Sequence, residues 1–141
     1  MRLFIVLSLL MFSFSGVSSY GQVEVAAAGS LKQSMKEIDR YYKSIGRSLK
    51  DPSKNLENAA AAAQMSSLFK QAKEQLPDLI ASLPEAQRAE AATSYQNMIL
   101  QMIDLTDQLQ QAFLANDNAR AGEIYLQIKE LKHEGHDKFD P

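Results

Sequence analysis

The sequence contains no cysteine and no tryptophan, and only 6 of its 141 residues are glycine and 4 are proline. Without cysteine the chain can form no disulfide and can carry no lipid anchor on a modified cysteine. The scarcity of glycine and proline leaves long stretches without helix breakers. These absences indicate a protein that is stabilised by packing of long helices, or by a bound cofactor.

Charge and length exclude several other classes of protein. The net charge is -2, hydrophobic residues make up 45% and charged residues 23%, and the length corresponds to one globular domain. From this net charge we expect no basic stripe that could follow a phosphate backbone. Nucleic acid is therefore not an expected partner.

The N-terminus has the pattern of a secretory signal peptide. Arg2 precedes an apolar run over residues 3–14, and small residues follow at 15–19. The run is too short to span a bilayer. We expect a signal peptide over residues 1–21, with cleavage possible as late as residue 28, and an exported domain over residues 29–141 without a stable membrane anchor.

The domain is predicted to be all-α, with four amphipathic helices over about 30–49, 53–76, 84–115 and 119–139 and a short helical turn within 78–83. Apolar residues recur at helical spacing on three faces. They are Leu31, Met35, Ile38, Tyr42, Ile45 and Leu49 on the first helix; Leu56, Ala60, Ala63, Leu68, Phe69, Ala72 and Leu76 on the second; and Tyr95, Met98, Met102, Leu105, Leu109 and Phe113 on the third.

Short connections between four such helices favour an antiparallel up-down-up-down four-helix bundle. In that topology the first helix begins where the last helix ends. Met35 lies near the start of the first helix, and His136 lies near the end of the last. A thioether and an imidazole, both of which bind iron, are therefore expected at the same end of the bundle.

The surroundings of both residues resemble the cytochrome b562 family. The first-helix motif of that family is similar to residues 31–38, with Leu31 four residues before Met35 and Glu37 and Ile38 after it. Its C-terminal motif is similar to residues 135–139, and its turn into the last helix to residues 114–117. The resemblance implies a periplasmic electron-transfer protein, not an enzyme, with one b-type haem and with Met35 and His136 as axial ligands.

The C-terminal segment also resembles that of cytochrome c′, which attaches its haem through two cysteines of a CxxCH motif. Lys132 and Gly135 stand at those two positions. A haem would therefore be held without a covalent bond. Gly135 could let a flat ring approach the backbone. Candidate propionate partners are Lys32, Lys36 and Lys132, and candidate pocket residues are Phe69, Tyr95 and Met98.

Three alternatives remain open from the sequence. His133 could replace His136 as the haem ligand. His133 and His136 could instead bind a single divalent metal on the helix surface, although the second Glu-x-x-His that a di-iron bundle needs is missing. The chain could also be a haem-free exported bundle that binds another protein or has a structural role. The sequence does not identify a redox partner.

Overall fold

The computed structural model describes residues 30–139, in which every regular element is helical. The predicted signal peptide and its cleavage site lie outside these residues. The helices are α1 (Leu31–Ser48), α2 (Asn55–Lys73), the single turn α3 (Asp78–Ala81), α4 (Glu85–Leu114) and α5 (Asn118–Phe139), with a 3-10 turn at Pro52–Lys54.

Local capping explains where the long helices begin. The Ser30 hydroxyl accepts a hydrogen bond from the Gln33 amide at 3.3 Å and caps α1. The Asp117 carboxylate accepts one from the Arg120 amide at 2.9 Å at the start of α5. Before it, Asn116 adopts a left-handed backbone with φ of 55°, a conformation that asparagine tolerates and that reverses the chain.

The four long helices form the predicted antiparallel bundle. The backbone of α2 lies close to α1 and α4, and that of α4 also lies close to α5. On the fourth side of the bundle α1 and α5 are further apart, and side chains bridge the space between them. We call this side the α1/α5 seam. Among residues 30–139 no helix combines the length and hydrophobicity needed to cross a membrane.

The predicted interior faces of α1 and α4 are confirmed, whereas that of α2 is wrong at Leu56, Ala60 and Leu76, which are exposed. Ile38, Tyr42 and Ile45 are buried on α1, and most of the predicted α4 face is buried as well. On α2, however, Leu56 is 77% exposed. The buried residues of α2 are Asn55, Asn58, Ala59, Ala62, Met65, Ser66, Phe69 and Ala72.

The two asparagines on this face explain the difference. The Asn55 amide donates to the side-chain oxygens of Asn116 at 3.1 Å and Asn118 at 2.9 Å, and Asn118 donates to the Leu49 carbonyl at 2.9 Å. Asn58 exchanges hydrogen bonds with Ser48. These bonds satisfy buried amides, and they tie the α1–α2 connection to the α4–α5 turn. Polar residues therefore face inward at this end, and Leu56 faces outward.

Gly46 lies at a close approach across the seam. A Cβ atom at this position would lie 2.2 Å from the hydroxyl of Tyr125, whose ring stacks on Tyr42 with centroids 4.3 Å apart. At an unconstrained helix position, Gly→Ala would stabilise the fold by about 1 kcal/mol. Here Tyr125 would have to leave the stack, so we expect Gly46→Ala to destabilise the protein by about 1–3 kcal/mol in urea unfolding.

The matched control is the same substitution in a Tyr125→Leu background. Without the tyrosine hydroxyl, alanine should regain its helix propensity, and Gly46→Ala should become neutral or stabilising by up to about 1 kcal/mol. A stabilising effect in the wild-type background would show that Tyr125 does not pack against Gly46.

Candidate functional site

The α1/α5 seam holds an ion pair and an aromatic stack. Lys132 on α5 donates to the carboxylate of Asp39 on α1 and lies 5.2 Å from the ring centroid of Tyr42. Tyr42 stacks on Tyr125, whose hydroxyl donates to the Tyr42 carbonyl at 3.3 Å. These contacts fix how α1 and α5 are aligned.

The alignment gives the relative positions of Met35 and His136. In an antiparallel pair, each step forward along one helix corresponds to a step back along the other. Gly46 on α1 contacts Tyr125 on α5. Asp39, seven residues earlier on α1, contacts Lys132, seven residues later on α5. Four residues further, about 6 Å along the axes, the same register brings Met35 level with His136. The prediction that they lie at the same end is confirmed.

The two side chains differ in exposure. Met35 is partly buried and packs against the hydrophobic core, whereas His136 is exposed in the last turn of α5. The two donors therefore occupy neighbouring helices, one facing inward and one at the surface.

Apolar residues of α4 and α5 form the interior at this end. A Cβ atom on Gly135 would lie 3.1 Å from the sulfur of Met98, so the missing side chain lets Met98 reach α5. Tyr95 and Phe139 meet edge to face with centroids 5.5 Å apart. Tyr95 donates to the Ala72 carbonyl at 3.1 Å, and burial raises its pKa to about 12.

The predicted pocket residues Phe69, Tyr95 and Met98 are all buried. Phe139, also buried, was not among them, because its contact with Tyr95 joins residues far apart in sequence. Its place four residues after Gly135 on the same helix face was the available signal.

The lysines proposed as propionate partners fall into two groups. Lys132 forms an ion pair with Asp39, which belongs to none of the predicted sequence motifs. Lys32 and Lys36 are exposed and form no ion pair with any residue between 30 and 139. Hydrogen bonds from Lys132 and Lys43 hold the pKa of Asp39 below its usual value, against a smaller opposing effect of burial.

This pKa shift predicts a pH dependence of stability. A carboxyl group whose pKa is lowered by folding stabilises the native state above its unfolded pKa, and this contribution is lost as the pH falls through the folded pKa. We expect Asp39→Asn to destabilise the protein by about 1 kcal/mol at pH 7, since the pair is partly exposed.

Urea unfolding of the wild type and the variant between pH 2 and pH 7 would measure this effect. The difference should shrink towards zero below the ordinary carboxyl pKa of about 3.9. Glu37→Gln, which removes a more exposed carboxylate from the same helix, serves as the control and should have a smaller effect. A difference for Asp39→Asn that is constant with pH would contradict the assignment.

In the described part of the chain, the two histidines are not part of a larger metal site. Within residues 30–139, no group of three or more histidine, aspartate and glutamate side chains lies close enough together to hold a metal ion. His133 is exposed, and the seam register matches it to Ile38 rather than to Met35. The alternative of a divalent metal on His133 and His136 therefore has no third protein donor among these residues.

The fold and the site together define an antiparallel four-helix bundle with a thioether and an imidazole at one end, a donor set that suits iron. Comparison with protein families identifies it further: the cytochrome b562 model matches residues 30–140, and the chain belongs to the cytochrome b562 family. Proteins of this family are haem b-binding electron-transfer cytochromes, typically periplasmic. No curated protein and no solved structure matches the chain significantly.

Proposed function

We propose that the chain binds one haem b without a covalent bond, with Met35 and His136 as axial ligands, and that it transfers single electrons. The observation that carries this proposal is the register of the α1/α5 seam, which sets a thioether level with an imidazole on adjacent helices. His136 is preferred to His133 because His133 is level with Ile38, which has no donor atom.

The residues present fit such a group. Met35 would supply the thioether donor and His136 the imidazole donor of a low-spin haem. Met98, Tyr95 and Phe139 provide apolar side chains at the same end of the bundle. At Gly135, beside His136, the thioether of Met98 lies against the backbone of α5, so this part of the site is also lined by an apolar side chain. When bound, the haem supplies a one-electron couple. Two protein ligands would leave it no open position for a substrate, which favours electron transfer over catalysis.

Within this proposal the chain's residues have separable roles. Met35 and His136 hold the iron from two helices, and Asp39 and Lys132 keep those helices aligned one turn away. The apolar side chains keep water from the buried side of the site. The signal-like N-terminus and the usual location of the family support export to the periplasm, where a redox partner would be met.

The test is an absorption spectrum of the full-length protein after export, oxidised and reduced, with a pyridine assay for the haem type. We expect a Soret band that shifts on reduction, low-spin visible bands, and a pyridine product of b-type at one haem per chain. A protein that stays colourless after incubation with haemin would instead support the haem-free bundle.

A further inference from the structure

The exposed face of α1 carries a row of basic side chains. They follow at intervals of four, four, three, four and three residues, which is the spacing of one helical face, and the last lies two residues beyond the end of α1. All are exposed: Lys32, Lys36, Arg40, Lys43, Arg47 and Lys50. We call them the basic row. The expectation that the chain has no basic stripe, drawn from its net charge, is wrong for this helix.

The net charge hides a strong asymmetry. Residues 30–50 contain six basic and two acidic residues, whereas the remainder of the chain contains nine basic and fifteen acidic residues. Glu37 pairs with Arg40 at 2.7 Å, and Asp39 pairs with Lys43 at 2.6 Å. The other four members of the row form no ion pair with the residues that the structure describes. The row therefore presents unneutralised positive charge on an otherwise acidic protein.

The row runs beside the candidate haem site. Lys36 directly follows Met35, and the five members of the row within α1, from Lys32 to Arg47, extend over about 23 Å of helix. The carboxylate of Asp39 contacts both Lys43 in the row and Lys132 on α5, so the row borders the α1/α5 seam. A molecule bound along the row would lie next to Met35 and His136.

The chemistry of the row favours a protein partner over a lipid surface. A helix that binds in the membrane interface presents large apolar side chains beside its basic ones. In the described part of the chain, the large apolar side chains that are exposed all lie outside α1: Leu56, Leu76, Leu79, Leu100, Leu114 and Leu126. The apolar face of α1 is used in the core. A rigid row of charge without apolar neighbours suits a partner with fixed acidic side chains.

We propose that the basic row is the docking surface for an acidic electron-transfer protein, which it guides to the Met35/His136 end of the bundle. This inference rests on the proposed function for its biological role, although the binding surface can be tested without haem. Electrostatic guidance of this kind raises the association rate and falls steeply with ionic strength.

The test compares two double variants with equal changes in net charge. Arg47→Glu/Lys50→Glu reverses charges at the end of the row far from Met35. Lys70→Glu/Arg120→Glu reverses charges beside α4, since Lys70 pairs with Asp107 and Arg120 contacts Gln108. Urea unfolding of both variants checks that they remain folded.

Two probes measure docking. Amide chemical shifts of the full chain during titration with a poly-glutamate peptide map the surface whether or not haem is bound. Stopped-flow reduction of the haem-loaded protein by an acidic [2Fe–2S] ferredoxin measures the rate. We expect shifts concentrated on α1, and a rate constant at low ionic strength that falls about tenfold in Arg47→Glu/Lys50→Glu but less than about twofold in the control.

The outcomes distinguish the two proposals. Chemical-shift changes on α1 in a protein that takes up no haem would overturn the proposed function, and they would still support the basic row as a surface that binds acidic ligands. Equal losses in both double variants, or shifts spread over all helices, would overturn the basic row as a specific surface. Tighter binding to phosphatidylglycerol vesicles or to a DNA duplex than to the peptide would overturn the assignment to an acidic protein.

Discussion

Replacement of His136 by alanine is expected to remove most of the haem affinity. Removal of a residue that only hydrogen-bonds to a metal ligand typically lowers the affinity for the metal by about 10- to 100-fold. Removal of the ligand itself should therefore lower the haem affinity by more than about 100-fold. The stability of the apoprotein should fall by no more than about 1 kcal/mol, because His136 is exposed and interactions between exposed side chains contribute little. Titration with haemin, followed by the Soret absorbance, measures the affinity.

His133→Ala is the matched control for this experiment. It removes an imidazole from the same end of α5, three residues away and also exposed. It should leave the affinity and the low-spin spectrum unchanged. If His133→Ala lost the haem and His136→Ala kept it, the ligand would be misassigned and the seam register would not describe the haem-bound protein.

The sequence predicted the fold where apolar residues alone define the interior. On α1, residues such as Ile38, Tyr42 and Ile45 recur at helical spacing, and these are the buried ones. On α2 the rule failed because Asn55 and Asn58 are buried through hydrogen bonds to loops that are remote in sequence. A hydropathy pattern carries no information about such hydrogen bonds, so it predicted that Leu56 faces the interior.

The candidate site was also predictable only in part. That Met35 and His136 lie at one end follows from topology, but their alignment depends on Asp39 and Lys132, which are 93 residues apart in sequence. Nothing local to Asp39 indicates that partner. The helical spacing of the basic row is visible in the sequence. The net charge of the whole chain does not reveal it, because the acidic residues elsewhere offset the positive charge of the row.

Replacement of Met35 by leucine is the second prediction with a large expected effect. Leucine has a similar volume and should keep the packing of Met35 against the core at a cost below about 1.5 kcal/mol. It has no sulfur to donate. Because a thioether ligand favours the ferrous state, we expect the reduction potential to fall by about 100 mV, a modest part of the roughly 0.8 V range that axial ligands set.

Met98→Leu is the sharpest control, because Met98 is the rival thioether. Its sulfur lies 3.1 Å from where a Cβ atom of Gly135 would be, next in sequence to His136. If Met35 is the ligand, only Met35→Leu should become high-spin and bind carbon monoxide in the ferrous state, whereas Met98→Leu should keep a low-spin spectrum. The reverse pattern would move the ligand from α1 to α4. The haem would then lie on the α4 side of α5, and the basic row would no longer border its site.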